Sequence, residues 1–236
     1  NGTAVTENWY DAAGRRVAKR EGGVLTLYLW DGMEILATAN ADGTLREYYT
    51  RGPGIAGDVG SLIAEHSFAT GRTVFLHSNH RGDVVLATDD AGAVVGRFEY
   101  SAFGMPRASS GSFTPRFGFS SKERDASGLV YYGFRFLSPE LCRWITPDPI
   151  GEDGGLNLYR FCGNDPVNGV DPDGEFLWVI VPLVLIGAEW ANAPDLGGPE
   201  YPGGEGFANM CAAGVTGGAL NAGILGAFGR AAASKT

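Results

Sequence analysis

Clustered basic charge is missing from this chain. Eighteen Lys and Arg face 27 Asp and Glu, a formal net charge of −9, and no basic run of the kind that neutralises phosphates is present. The expectation is a protein with no nucleic-acid partner, whose acidity serves solubility. Cysteine is scarce: Cys142, Cys162 and Cys211 show no C-x-x-C spacing, so no metal site and no disulfide framework is expected. Cys142 and Cys162 flank the later motif block and read as buried free thiols, with a pairing of the two as the alternative. Of the three histidines, His66 stands alone, and His77 and His80 would share a face only on a helix, whereas the alternation around them reads as strand and turn. Nucleophile-elbow and Gly-rich phosphate-loop patterns are absent, so no cofactor and no turnover enzyme is expected.

Long apolar runs are missing as well. Residues 176–188 are apolar but interrupted by Pro182, and are shorter than the roughly 20 residues that span a bilayer core. Residues 207–229 lack charge and include the small-x-x-x-small pair Gly214 and Gly218, yet Gly, Asn and Thr dilute their hydrophobicity. They read as a small-residue helix or coil packed on protein, with membrane contact as the alternative. The first residues show no basic region followed by an apolar run, so any export signal is expected upstream of a chain that reads as a fragment.

What is abundant is glycine, 37 residues, together with 11% aromatics. In helix interiors each glycine would cost about 1 kcal/mol relative to alanine, so the expected class is all-β. Residues 8–100 repeat a unit in which an aromatic or apolar residue precedes Asp, a short gap and Gly, then an alternating strand. Examples are Trp9-Tyr10-Asp11-Ala-Ala-Gly14, Leu29-Trp30-Asp31-Gly32, Ala41-Asp42-Gly43 and Asp89-Asp90-Ala-Gly92. Asp and Gly tolerate the backbone that hairpin turns demand, so each unit reads as a β-hairpin. Successive hairpins bury their faces only by joining into a long meandering sheet that curls. The stretches 52–57 and 108–112 read as loops. Within 114–147, Phe117-Gly-Phe119, Leu129-Val-Tyr-Tyr132 and Phe134-Arg-Phe136 read as strands whose aromatics plug one end of that sheet.

The densest motif block follows: Asp148-Pro-Ile-Gly151, then Asn157, Asn164 and Asn168 in loops they hold by side-chain to backbone hydrogen bonds, then Asp171-Pro-Asp-Gly174. Asp before Pro and near Gly is a favoured turn starter, so a capping role accounts for Asp148 and Asp171 by itself. Polarity changes immediately afterwards.

Together with His77-Ser-Asn-His80-Arg-Gly82-Asp, Phe98-Glu-Tyr100-Ser-Ala-Phe103-Gly104, Gly128-Leu-Val-Tyr-Tyr132-Gly-Phe-Arg135-Phe and Pro139-Glu-Leu-Cys-Arg143-Trp, the hairpins and the double Asp-Pro-x-Gly block resemble the rearrangement-hotspot (Rhs) or YD-repeat family at its core-domain end. The resemblance covers residues 8–174. It implies YD-repeat hairpins over 1–113 curling into a hollow β-shell, a core domain over 114–174 turning inward as a plug, and a variable tail over 175–236, partly helical or irregular, which the shell encloses or presents. It also implies self-cleavage after the second Asp-Pro-x-Gly by an aspartyl mechanism. Two carboxylates sharing a proton would activate water and protonate the leaving amine.

Carried onto this chain, the pair is Asp148 and Asp171 and the scissile bond joins Glu175 to Phe176. The family commonly has Leu where Glu175 stands, and a third carboxylate there adds repulsion that would slow the reaction. A supporting arginine of some relatives is replaced by Pro147, leaving Arg143 or Arg160 as substitutes. The resemblance makes the expected partners the chain's own tail and upstream repeats, and the expected location the secreted fraction or cell surface. A competing reading is an uncleaved adhesive protein that associates through sheet edges with other copies or cell-surface partners. A third makes the tail a membrane-active effector, although it lacks the clustered His, Asp, Glu or Lys of an enzyme site.

Overall fold

In the computed structural model, residues 6–175 and the backbone of Trp178–Val179 are described. All belong to one compact unit. The all-β expectation holds. Ten antiparallel strands follow one another in chain order through a single sheet: β1 Thr6–Tyr10, β2 Arg16–Glu21, β3 Val24–Asp31, β4 Glu34–Ala39, β5 Leu45–Arg51, β6 Leu62–Ser67, β7 Arg72–Ser78, β8 Val84–Thr88, β9 Val94–Tyr100 and β10 Pro106–Gly111. A second sheet holds four short strands, β11 Glu123–Arg124, β12 Val130–Tyr131, β13 Phe136–Ser138 and β14 Arg143–Trp144, and a third pairs β15 Gly169–Val170 with β16 Trp178–Val179.

One turn recurs. At 11–15, 40–44, 79–83, 89–93, 101–105 and 125–129 the first residue is Asp, Asn or Ser and the fourth is Gly. Its first N–H donates to the fifth carbonyl and the glycine N–H to the first carbonyl, all at 2.8–3.0 Å. The six glycines have φ between +76° and +86°, where a Cβ would be strained. Where the first residue is Asp11, Asn79 or Asp89, its Oδ1 also accepts the N–H groups of the third and fifth residues. Several register shifts fall beside these turns, as expected where a glycine bulge follows a type I turn.

Three expectations need correction. Residues 108–112 read as a loop, but most of them belong to β10, which pairs with β9 as an exposed edge. Ser and Gly have weak strand propensity, and the ladder from β9 overrides it. The aromatic segments of 114–147 form only two- and three-residue strands, and Phe119 lies in a 3-10 turn. Cys142 is exposed rather than buried, while Cys162 is buried as expected; Cys211 lies outside the described residues. So do the tail beyond Glu175, apart from the β16 backbone, and the 207–229 segment. No helix among the described residues is long and apolar enough to cross a membrane.

The ten-stranded sheet buries Tyr28, Ile35, Tyr49, Leu62, Leu76, Val84 and Phe98 together with Phe117. A separate cluster joins Phe119, Val130, Tyr132, Leu137, Trp144 and Phe161. The two sheets are also tied by buried charge. Arg16 of β2, fully buried, donates to Glu123 at 2.6 Å and to Asp125 at 2.8 Å, and Lys19 reaches both carboxylates. Arg116 adds a third cation to Glu123 at 3.0 Å, and the Tyr28 hydroxyl donates to it at 2.7 Å. Burial alone would raise the Glu123 pKa, but Arg16, Lys19 and Arg116 override it and hold it down to about 2. Burial and the neighbouring Glu123 charge instead raise Asp125, against the pull of the same Arg16 and Lys19. Glu123 has the larger set of cations, Arg16, Lys19 and Arg116.

Candidate functional site

Asp148 follows β14 and Asp171 follows β15, and each first organises its own turn. Asp148 Oδ1 accepts the N–H of Ile150 at 3.1 Å. Asp171 Oδ1 accepts those of Gly174 at 2.7 Å and Asp173 at 3.3 Å. That is the capping role the Asp-Pro pattern predicts. The second oxygen of each carboxylate has another partner, the same for both: Arg135, whose Nη1 lies 2.7 Å from Asp148 Oδ2 and whose Nη2 lies 3.2 Å from Asp171 Oδ2. Its Nε donates to the carbonyl of Gly174. One planar guanidinium thus joins both Asp-Pro-x-Gly turns, using the fork of donors that lysine lacks.

Arg135 sits in the connection between β12 and β13, buried, with its guanidinium 4.3 Å from the centre of the Trp144 ring. Trp144 is wholly buried among Tyr132 and Phe161, so the aromatic plug forms the floor on which the cation lies. Gly174 is required here: its φ is +89°, and a Cβ would stand 3.0 Å from the Arg135 backbone nitrogen.

Arg143 and Arg160 are placed otherwise. They bridge each other through backbone on the exposed side, the Arg143 guanidinium lies over Tyr159 at 5.2 Å, and among the described residues neither pairs with Asp148 or Asp171. The arginine that does was present in the sequence as the polar member of Phe134-Arg-Phe136. A lone cation inside an aromatic run is the available signal that it is buried and partnered.

Burial dominates the electrostatics of Asp171, pushing its pKa up to about 6 although the Gly174 N–H and Arg135 pull it down; the Asp173 charge adds to the rise. Glu175 is raised by burial and then by Asp173 and Asp148, against Arg135. Near pH 6 the site therefore offers one carboxyl that exchanges its proton beside a second carboxylate on the same cation. Such a pair can take a proton from water and return one to a leaving group.

The surrounding motifs hold this corner in place. Arg81 donates to the carbonyls of Ala102 and Pro166 and pairs with Asp83 at 2.5 Å, while Asp83 Oδ1 accepts the Ser120 N–H. Lys122 donates to Asp58 and to the Pro172 carbonyl, fastening the 52–57 loop region to the second motif. Asn157 holds its loop as expected, its Oδ1 accepting the Tyr159 N–H, whereas the Asn168 side chain donates to the Asp165 carboxylate rather than to backbone; Asn164 takes a positive φ of 65° in the same stretch. His77 and His80 contact the Thr88 hydroxyl and the Val167 carbonyl, and His66 the Thr73 hydroxyl. Among the described residues no group of three potential metal ligands assembles.

No family model matches the chain. Among curated relatives, the tRNA3(Ser)-specific nuclease WapA of Bacillus spizizenii is 32% identical over 183 residues, 73% of this chain and 8% of the relative. Toxin subunit YenC1 of Yersinia entomophaga is 39% identical over 105 residues, 42% of this chain and 11% of the relative. The probable deoxyribonuclease RhsA of Dickeya dadantii is 32% identical over 183 residues, 71% of this chain and 12% of the relative. The crystal structure of TcdB2-TccC3-Cdc42 matches with a TM-score of 0.58 and 27% identity over 72% of this chain and 9% of that one.

The chain thus spans about a tenth of the length of the proteins it matches. These relatives support an Rhs-type, toxin-associated affiliation and lend nothing to the adhesive reading. They also withdraw support from the exclusion of nucleic acid, since two are named nucleases. The net charge of −9 belongs to this chain, which corresponds to a small fraction of each relative.

Proposed function

We propose that this chain is the closing section of an Rhs-type β-shell, which encloses or presents the polypeptide that follows Glu175 and releases it by cutting itself once after the second Asp-Pro-x-Gly. The hairpins of 1–113 supply wall, residues 114–174 the plug, and 175–236 the tail. The observation that carries the reading is the convergence of Asp148 and Asp171 on the buried Arg135, immediately before that tail. On this reading the protein acts outside the cell that makes it, with upstream strands of the same shell and its own tail as partners. The relatives named as nucleases and toxins suggest that such tails are effectors, so the molecule released would reach the target of that effector.

In the proposed reaction, one carboxylate takes a proton from water as the water oxygen attacks the Glu175 carbonyl carbon. The other delivers a proton to the departing Phe176 nitrogen, so that the C–N bond breaks, Glu175 gains the new carboxylate and Phe176 the new amine. Asp171, poised near pH 6, suits the proton donor, and Asp148, paired at 2.7 Å with Arg135, suits the base. Arg135 positions both.

Mass spectrometry of the full chain, held between pH 5 and 8, tests this. The expected products end at Glu175 and begin at Phe176, fastest near pH 6, and disappear with Asp148→Asn or Asp171→Asn. An intact chain across that range, or a cut that survives both substitutions, would leave the site as a structural clasp and remove the cleavage step.

A further inference from the structure

A carboxyl stands where the ten-stranded sheet otherwise presents its core. Glu65 of β6 lies directly opposite Tyr49 of β5 and Val74 of β7, and directly opposed residues of neighbouring antiparallel strands share a face. That face carries the buried cluster that contains Tyr49, with Val74, Val95 and Phe113 packed against it. Glu65 is only 8% exposed, and among the described residues its Oε2 has no hydrogen-bond partner. A buried acceptor left in this way costs stability, and an aliphatic side chain at the same strand position would avoid that cost. Packing therefore does not account for a glutamate here.

A cavity of about 240 Å³ opens beside this carboxyl. Val74 of β7, Val95 of β9 and Phe113 supply its apolar lining, and Ser67 and Arg72 its polar lining with Glu65. The volume is below the range usual for drug-sized ligands, so a small group fits. The charged neighbours leave Glu65 without a counter-ion. Arg116 commits its two Nη atoms to Glu47 at 3.3 Å and to Glu123 at 3.0 Å. Arg72 is exposed, where solvent screens it. The Tyr49 hydroxyl on the same face is buried without a partner of its own. Burial raises the Glu65 pKa to about 7 and the Glu47 charge adds to the rise, while Arg116 opposes it through its charge and its backbone N–H. Above pH 7 the cavity thus holds a buried negative charge that a cation would satisfy.

We propose that this cavity binds an alkylammonium group, whose N–H donors reach Glu65 and whose carbon chain lies against Val74, Val95 and Phe113. A charge-assisted hydrogen bond of this kind is about twice as strong as a neutral one. The group belongs either to a free amine or to a lysine side chain of another polypeptide. The site shares no residue with the Arg135 clasp, and the inference does not depend on cleavage.

Titration of the full chain with n-butylammonium chloride, followed by the amide resonances of Glu65, Val74 and Val95 against a sodium chloride control, tests the site. Saturable shifts are expected at those amides. The apparent affinity should rise about tenfold between pH 6 and pH 8 as Glu65 gives up its proton, because the amine stays charged throughout. Glu65→Gln, which keeps the shape and removes the charge, should abolish the shifts. A blocked Gly-Lys-Gly peptide titrated in parallel separates the sources: a response to the amine alone assigns a free amine, and a response to both assigns a lysine side chain. No saturable shift with either probe, equal affinity at pH 6 and pH 8, or shifts that survive Glu65→Gln overturn the proposal. The pH comparison needs no variant, so it decides the matter even where Glu65→Gln fails to fold.

Discussion

Arg135 carries the most consequence of any single side chain. It neutralises two carboxylates in a region where Asp171 is only 3% exposed, and breaking a buried ion pair by removing one partner costs roughly 3–5 kcal/mol. Arg135→Met should therefore destabilise the protein by about that amount in urea titrations. The loss should be larger at pH 8 than at pH 5, because protonated Asp171 needs no counter-charge. Asp171 itself has a folded pKa of about 6 against an ordinary value of 3.8. Its contribution is favourable below pH 4 and is lost as pH rises through 6, a change worth roughly 3 kcal/mol. Glu123 runs the other way. Depressed from 4.5 to about 2, it stabilises the fold above pH 4.5 and loses that contribution as pH falls toward 2. Glu123→Gln should flatten the acid limb of the stability curve, measured by circular dichroism between pH 2 and 5, and lower stability at neutral pH because Arg16 loses its nearest anion.

Among the elements, the recurring turn makes the clearest prediction. Gly43 and Gly82 occupy the same turn position at nearly the same φ, +85° and +76°, but differ in surroundings. A Cβ on Gly43 meets nothing within 4 Å, whereas on Gly82 it would stand 2.5 Å from Val59 and 2.6 Å from the Gly60 nitrogen. Gly43→Ala should cost the conformational term alone, about 1–2 kcal/mol. Gly82→Ala should cost clearly more, since backbone must move, and the difference is measurable by chemical denaturation.

These turns are also what the sequence discloses best, because Asp or Asn followed three residues later by Gly fixes a local geometry that needs no distant partner. The serine-rich 108–112 stretch misleads for the opposite reason: its strand exists only through pairing with β9. Arg16 and Lys19 are equally hidden, because a charged residue in a strand reads as solvated until the element that covers it is known. Asp148 and Asp171 could be picked out as a pair by their repeated motif, but the side chain joining them lies in a different segment, the 128–136 motif, where only its place inside an aromatic run marks it.

At the scale of the whole molecule, strand order within the large sheet equals chain order, so contacts between its strands are mostly between neighbours in sequence, and the long links run from that sheet to residues beyond it. Arg16 to Glu123 spans 107 residues, Arg81 to Pro166 85. Central strands with a neighbour on each side should accordingly be the most protected. In native-state hydrogen exchange the amides of β5–β7 should open only with global unfolding, whereas β10, exposed along its length, should exchange through local fraying. Equal protection across the sheet would show that the long links, rather than strand neighbours, govern opening.

The six copies of one turn have a consequence for how such a chain can change over time. Because each strand of the large sheet pairs only with those before and after it, and five of its nine joints are built to one pattern, a pair of strands with such a turn is an interchangeable cassette. Duplication or loss of whole cassettes would lengthen or shorten the strip while leaving each junction chemically the same. The stretches with long-range partners, around Arg16, Tyr28, Asp58 and Arg81, would resist that exchange.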